Sequence, residues 1–144
     1  MSILIDTNVL LRRLESQHPQ HAMAISAVAR ILRSGETVYV TLQVLTEVWR
    51  VMTAPTGANG FDFPISVSAA AIDDIEPLFT LLDEDVPAIY SEWKRLVVQH
   101  QVKGLAVFDA RLAATVIVHK LDAIVSFDAG FARYGVNVLD PATV

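Results

Sequence analysis

Length, composition and charge limit the classes of protein to which this chain can belong. It has 144 residues, of which 53% are hydrophobic, and a formal net charge of −5. This predicts one domain over residues 1–144 with a sizeable core, and the negative charge argues against a protein that coats nucleic acid by bulk electrostatics. The lack of cysteine excludes disulfides and thiolate zinc sites and favours a cytoplasmic location.

Segments of strand character alternate with segments of helical periodicity along the chain. In chain order the sequence predicts a strand at Ile3–Ile5, a helix capped by Thr7 or Asn8 and ending at Leu14, a helix over 20–34, a strand at Thr37–Val40, a helix at Leu42–Met52, a helix from Ser66 or Ser68 to Ile75, a short strand over 79–82, a helix from Pro87 to His100, a helix from Phe108 to His119, and strands over 123–126 and 136–139. This alternation predicts βαβ units, a parallel sheet and the α/β class.

Neither the N-terminal segment nor the length of the apolar runs predicts a membrane protein. Apolar residues run only from Ile3 to Ile5 before Asp6, and no basic region precedes them, so we expect no signal peptide or anchor. No apolar run approaches the roughly 20 residues that span a bilayer. The loop over 54–64, which carries two prolines and two glycines, is too early and too short to divide two domains.

Two aspartates lie at or just after the carboxyl ends of predicted strands. Asp6 comes after Ile3–Ile5, and Asp128 comes shortly after the strand over 123–126, whose last residue, Ser126, offers a hydroxyl beside it. In an open α/β sheet the carboxyl ends of the strands face the binding crevice, so both acids should lie there. An acid after a strand can also simply cap a helix. Asp122 precedes its strand, and we expect it at the opposite edge in a structural role.

Two further acids lie within apolar helical sequence. Glu47 lies close to the apolar stripe of its helix, although it could form an ordinary pair with Arg50 one turn away. Asp109 follows Phe108 and precedes an alanine-rich stretch, where an unpaired carboxylate would be costly unless a cation binds it. Arg111 is an alternative structural partner. Arg50 and Arg111 could also meet phosphates near the site, or be solvated.

A cluster of four carboxylates at one sheet edge would be repulsive. Mutual repulsion raises the pKa of such groups, so the cluster is stable mainly as a cation site. Oxygen ligands without His or Cys select Mg²⁺, with Mn²⁺ as a substitute. A cation held in this way keeps bound waters, one of which can attack a phosphodiester.

Four segments of the chain, in order, resemble the motifs of the PIN domain. Ile3–Leu11 resembles the opening of that domain, Thr46–Val48 its second acidic motif, Phe108–Ala114 its third and Ser126–Phe131 its fourth. Each motif is weak by itself, but their order and spacing agree over essentially the whole chain. Several relatives carry Asn or a shifted acid in the last motif, where this chain has Asp128.

The resemblance implies a function as well as a fold. It implies a three-layer α/β/α arrangement around a parallel sheet of four to five strands, a homodimer, and a Mg²⁺-dependent endoribonuclease that cleaves structured RNA. Small members resemble the VapC-type toxins, which a small antitoxin neutralises. The acidic roles would fall to Asp6, Glu47, Asp109 and Asp128, with Thr7, Asn8 and Ser126 in support.

Other classes of protein also place acids at a sheet edge. An aspartyl-phosphate phosphatase of the haloacid dehalogenase type needs a second Asp two residues after the first, where this chain has Asn8. A phospho-receiver domain needs a lysine after a late strand, and the only lysines are Lys94, Lys103 and Lys120. A non-catalytic binding module with the PIN fold is the main alternative to a nuclease, and a metal-dependent cleavage assay distinguishes the two.

Overall fold

A parallel sheet of five strands forms the centre of the computed structural model, which describes all residues from Met1 to Val144. The strands are β1 (Ser2–Ile5), β2 (Thr37–Val40), β3 (Thr80–Leu81), β4 (Ala123–Val125) and β5 (Val138–Leu139). Their spatial order is β3-β2-β1-β4-β5, with every neighbouring pair parallel. The predicted α/β class and parallel sheet are therefore confirmed.

Six α-helices flank this sheet. They are α1 (Thr7–Leu14), α2 (His21–Arg33), α3 (Leu42–Thr53), α4 (Ile65–Ile75), α5 (Val86–Gln99) and α6 (Ala106–Val118). Helix α1 packs against α2 and α3, α3 against α4, and α5 against α6. None of these helices combines the length and the hydropathy that crossing a bilayer requires.

Strand β1 lies in the middle of the sheet and is fully buried along its apolar residues. Ile3, Leu4 and Ile5 have no exposed surface, because helices cover both faces of a parallel sheet. Ile3 pairs with Val38 of β2 on one side and with Ala123 of β4 on the other. The chain therefore leaves β1 at the centre of the carboxyl edge, where the strand order reverses and ligand crevices form in open α/β sheets.

Several predicted boundaries differ from the structure. Asp6, not Thr7 or Asn8, caps α1, because its own carboxylate accepts the backbone N–H of Thr7. Helix α4 begins at Ile65, since Pro64 provides the extended residue before the first turn and no serine cap is needed. Helix α6 begins two residues earlier than predicted, at Ala106.

The segment after β4 also contains an element that the sequence pattern did not indicate. Ala129–Tyr134 forms a 3₁₀ helix, capped by the carboxylate of Asp128 and ended by Gly135 in the left-handed conformation at φ 79°. It buries Phe131 and Tyr134 against the core. A six-residue 3₁₀ helix is too short to show a clear periodicity in the sequence. Strand β5 is accordingly shorter than predicted.

Candidate functional site

The carboxyl ends of β1 and β4 meet at one buried position. The backbone N–H of Asp6 donates to the carbonyl of Val125 at 3.1 Å, which extends the pairing of the two strands by one residue. The Ser126 hydroxyl then donates to Asp6 Oδ2 at 2.6 Å, and both side chains are buried. Parallel pairing thus brings together two residues that are 120 positions apart in the sequence.

Asp6 is a buried acid whose charge is held only by neutral donors. Its Oδ1 accepts the Thr7 backbone N–H at 2.7 Å, and only 6% of the residue is exposed. Burial raises the pKa of Asp6 to about 6 although the hydrogen bonds from Ser126 and Thr7 favour the charged form, and the nearby carboxylates of Asp109 and Glu47 raise it further. A cation beside Asp6 would stabilise the charged carboxylate in its buried position and offset the repulsion from Asp109 and Glu47.

Asn8 stabilises the loop that follows β4. Its side-chain amide donates to Ser126 Oγ at 3.2 Å, and its Oδ1 accepts the backbone N–H of Phe127 at 3.2 Å. Ser126 Oγ also accepts the backbone N–H of Asp128 at 2.9 Å. Asn8 therefore anchors this loop to α1, and as an amide it offers no acid for phosphatase chemistry.

Glu47 is held by two hydrogen bonds from different helices. The hydroxyl of Thr7 in α1 donates to its Oε2 at 2.8 Å, and the amide of Gln43, one turn earlier in α3, donates to its Oε1 at 3.1 Å. Arg50 forms no ion pair, so the pair with Glu47 that the spacing allowed is not made. The carboxylate is thereby directed towards the end of β1.

Gln43 is a site residue that the sequence analysis missed. The same amide nitrogen also donates to the Phe108 carbonyl at 3.0 Å, so it joins Glu47 on α3 to the first turn of α6. The residue is 9% exposed, and its Oε1 has no hydrogen-bond partner. Its position four residues before Glu47, on the same helix face, was the available signal.

Asp109 is the acid with no partner in the protein. It lies in the first turn of α6, half-buried, and forms no hydrogen bond or ion pair. Burial raises its pKa, with further contributions from the carboxylates of Asp128 and Glu47. Arg111 does not pair with it, since the Arg111 guanidinium lies 3.8 Å from Glu84 instead. Asp109 thus interacts electrostatically with each of the other three acids.

Asp128 lies at the exposed rim of this acidic edge. Its Oδ1 accepts the backbone N–H of Gly130 at 2.8 Å, so one oxygen caps the 3₁₀ helix. A Cβ at position 130 would lie 2.9 Å from that oxygen, and glycine allows the close approach. Asp122 lies at the opposite edge, as expected, and binds the backbone and hydroxyl of Ser2.

The donor set fits a hard divalent cation held partly through water. The acids offer only oxygen atoms, which Mg²⁺ and Mn²⁺ prefer. No three His, Asp or Glu side chains are close enough in this structure to hold a metal ion together. The oxygens of Asp6, Glu47 and Asp128 are partly occupied by protein donors, whereas Asp109 is free. Mg²⁺ commonly binds through one or two carboxylates and keeps several waters, which suits this arrangement.

The sequence of the chain matches one known family. The family model of the PIN domain matches residues 3–137, so the chain belongs to the PIN domain family. No curated protein matches the chain.

Solved structures share the fold at low sequence identity. FitAcB from Neisseria gonorrhoeae is 24% identical, with a TM-score of 0.69, and the alignment covers 99% of both chains. VapBC2 from Rickettsia felis, in a structure with a DNA fragment from the VapBC2 promoter, is 12% identical with a TM-score of 0.73. The alignment covers 96% of this chain and 98% of the matched chain. VapC20 from Mycobacterium tuberculosis, a Sarcin-Ricin loop cleaving toxin, is 18% identical with a TM-score of 0.67 and covers 93% and 95%.

The raised pKa of Asp6 predicts a specific pH dependence of stability. Between pH of about 4 and about 6 the folded chain holds a proton on Asp6 that the unfolded chain has lost. The free energy of unfolding therefore falls as pH rises through this window. Above about pH 6 the titration of Asp6 lowers it no further. Asp6→Asn lacks this contribution. We expect its stability relative to wild type to increase from pH 4 to pH 7, by at most about 3 kcal/mol.

Chemical denaturation in EDTA at several pH values measures this difference. Asp74→Asn, which removes an exposed acid from α4, is the matched control and should show no comparable change with pH. Asp109→Asn should shift in the same direction as Asp6→Asn, because burial and repulsion raise its pKa too. A difference between Asp6→Asn and wild type that is constant over this pH range would contradict the assignment.

Proposed function

We propose that this chain is a Mg²⁺-dependent endoribonuclease and the toxin of a toxin–antitoxin pair. The observation that carries the proposal is the acidic edge itself, where Asp6 is buried and Asp109 has no protein partner. Membership of the PIN domain family supports nuclease chemistry, and the shared fold with a Sarcin-Ricin loop cleaving toxin supports RNA as the substrate. Residues 1–144 would form one nuclease domain that acts in the cytoplasm.

The proposed mechanism assigns a role to each acid. Asp6 and Asp109 would hold the cation, with Glu47 and Asp128 as further ligands or through water. Mg²⁺ bound there would activate a water and stabilise the charge that develops on the phosphate. Ser126 and the Thr7 backbone fix both oxygens of Asp6, so the carboxylate needs no reorientation during the reaction.

The side chains around the acids would act by positioning. Thr7 and Gln43 hold the two oxygens of Glu47, and Gln43 also fixes the distance between α3 and the start of α6. Asn8 holds the loop that carries Asp128. This arrangement fixes Glu47 and the loop of Asp128 in place despite the repulsion among the acids, which is the property that a preorganised cation site requires.

Substitution of Asp109 tests the nuclease proposal. Asp109→Asn removes a charge that no protein group neutralises, so the fold should be retained and cleavage of structured RNA should fall by at least about 100-fold. The melting temperature of the wild type should rise on addition of Mg²⁺, because only the folded chain binds the cation. That rise should be lost in Asp109→Asn.

The same RNA cleavage and melting measurements on Asp74→Asn provide the control, since that variant removes the same charge from an exposed position on α4. Full cleavage by folded Asp109→Asn would disprove the mechanism. Stabilisation by Mg²⁺ without any cleavage would favour the alternative of a non-catalytic PIN-fold binding module.

We also propose that the chain forms a homodimer. Large apolar side chains remain exposed in the monomer, and an isologous two-fold interface is the simplest way to bury them. They include Ile65 and Val67 on α4, and Val86 and Val98 on α5. Light scattering at micromolar concentration should give twice the mass of one chain. A mass that stays at one chain over this range would contradict the dimer.

The proposed antitoxin would inhibit by competing with the metal. Structures with this fold include VapBC and FitAB antitoxin complexes, which support such a partner. An amphipathic segment that carries an arginine could place its guanidinium among the carboxylates in place of Mg²⁺. Inhibition by the purified product of the adjacent gene should then weaken as Mg²⁺ is raised, and Asp128→Asn should weaken the complex.

Sodium chloride at matched ionic strength is the control for the Mg²⁺ titration, because salt alone weakens charge pairs. Asp74→Asn controls for the loss of one negative charge. An adjacent gene product that neither binds nor inhibits would remove the toxin assignment and leave the nuclease chemistry standing.

A further inference from the structure

A cavity of about 710 Å³ opens between α3 and the start of α6, directly beside the acidic edge. Gln43, Glu47 and Arg50 line it from α3, and Leu105, Phe108 and Arg111 line it from the other side. Glu47 belongs both to this cavity and to the acidic edge, so the two spaces are continuous. The volume lies within the usual range for small-molecule sites.

One wall of the cavity presents an exposed aromatic ring. Phe108 is 48% exposed, although it directly precedes the half-buried Asp109, and Leu105 beside it is 85% exposed. Burying both side chains on one ligand would remove apolar surface from water. A flat, apolar surface next to a candidate phosphodiester site fits the face of a nucleobase, which stacks on aromatic side chains.

The rim of the cavity also carries one arginine on each side, Arg50 on α3 and Arg111 on α6. Arg50 is exposed and forms no ion pair, whereas the Arg111 guanidinium forms an ion pair with Glu84 at 3.8 Å, a distance longer than a hydrogen bond. In a chain with a net charge of −5, Arg50 is therefore a free cation at the cavity rim, and Arg111 is a weakly paired one. Arginine donates to phosphate oxygens with good geometry.

We propose that this cavity binds a single-stranded nucleotide next to the cleaved phosphate. Its base would stack on Phe108 while Arg50 and Arg111 contact the neighbouring phosphates. The proposal rests on the nuclease function and deepens it, because it identifies an unpaired nucleotide as the feature that the chain recognises.

The test compares two oligomers that differ only in their bases. A labelled oligouridylate and a fully abasic ribose-phosphate oligomer of equal length are titrated in EDTA, where no metal chemistry occurs. Both carry the same phosphates, so repulsion by the acids cancels in the ratio of their affinities. Wild type should bind the oligouridylate about tenfold more tightly, because stacking on an aromatic side chain stabilises each base.

Phe108→Leu keeps an apolar side chain and removes the ring, so this ratio should fall several-fold. Tyr90→Leu, which removes an exposed ring on α5 outside the cavity, should leave the ratio unchanged. Arg50→Gln and Arg111→Gln should weaken both oligomers alike and reduce the salt dependence of binding by about 0.7 in logarithmic slope for each arginine. Circular dichroism and melting temperatures verify that each variant is folded.

The outcomes separate this inference from the nuclease proposal. An unchanged ratio in Phe108→Leu, or an unchanged salt slope in both arginine variants, overturns the nucleotide site even if the chain cleaves RNA. Wild type that binds neither oligomer overturns it as well. The expected ratios without any cleavage in Mg²⁺ leave the nucleotide site standing and remove the nuclease. Loss of binding of the adjacent gene product in Phe108→Leu, with RNA binding intact, assigns the cavity to a peptide instead.

Discussion

The rest of the site depends on the hydrogen bond from Ser126 to Asp6, which joins the ends of β1 and β4. This bond is buried and 2.6 Å long, and it forms where the central strand of the sheet ends. Burial penalises the charge on Asp6, and the neighbouring acids add repulsion. Neutral donors from Ser126 and Thr7 offset part of this cost. They fix the carboxylate in place without neutralising it.

No arginine, lysine or histidine pairs with any of the four acids. The protein instead holds Glu47 and Asp6 with hydroxyl, amide and backbone donors, and it leaves Asp109 free. Arg50 and Arg111 line the cavity beside this edge, together with Glu47. In the proposed function a cation binds at the acidic edge, and phosphates of the RNA contact Arg50 and Arg111 in the adjoining cavity. The net charge of the chain conceals this division.

Much of this arrangement could be predicted from local sequence. The run Ile3–Ile5 followed by Asp6 predicts a buried parallel strand that delivers an acid to the crevice, since strand ends and binding edges coincide in this class of fold. The helical periodicity around Glu47 and Asp109 placed both acids on the correct elements. Boundaries were less accurate at α4 and α6, because a proline and a turn without a side-chain cap begin these helices.

The sequence by itself thus determined the strands, the helices and the order of the acids, because hydrophobic period and strand ends are local properties. Only the tertiary structure decided which groups hold those acids. Gln43 reaches the Phe108 carbonyl across 65 positions, and Asn8 reaches Phe127 across 119. Arg50 could pair with Glu47 by its spacing in the sequence. In the fold, hydrogen bonds from Thr7 and Gln43 hold both oxygens of that carboxylate, and Arg50 stays free. Such competition between distant donors is resolved only when the sheet brings them together.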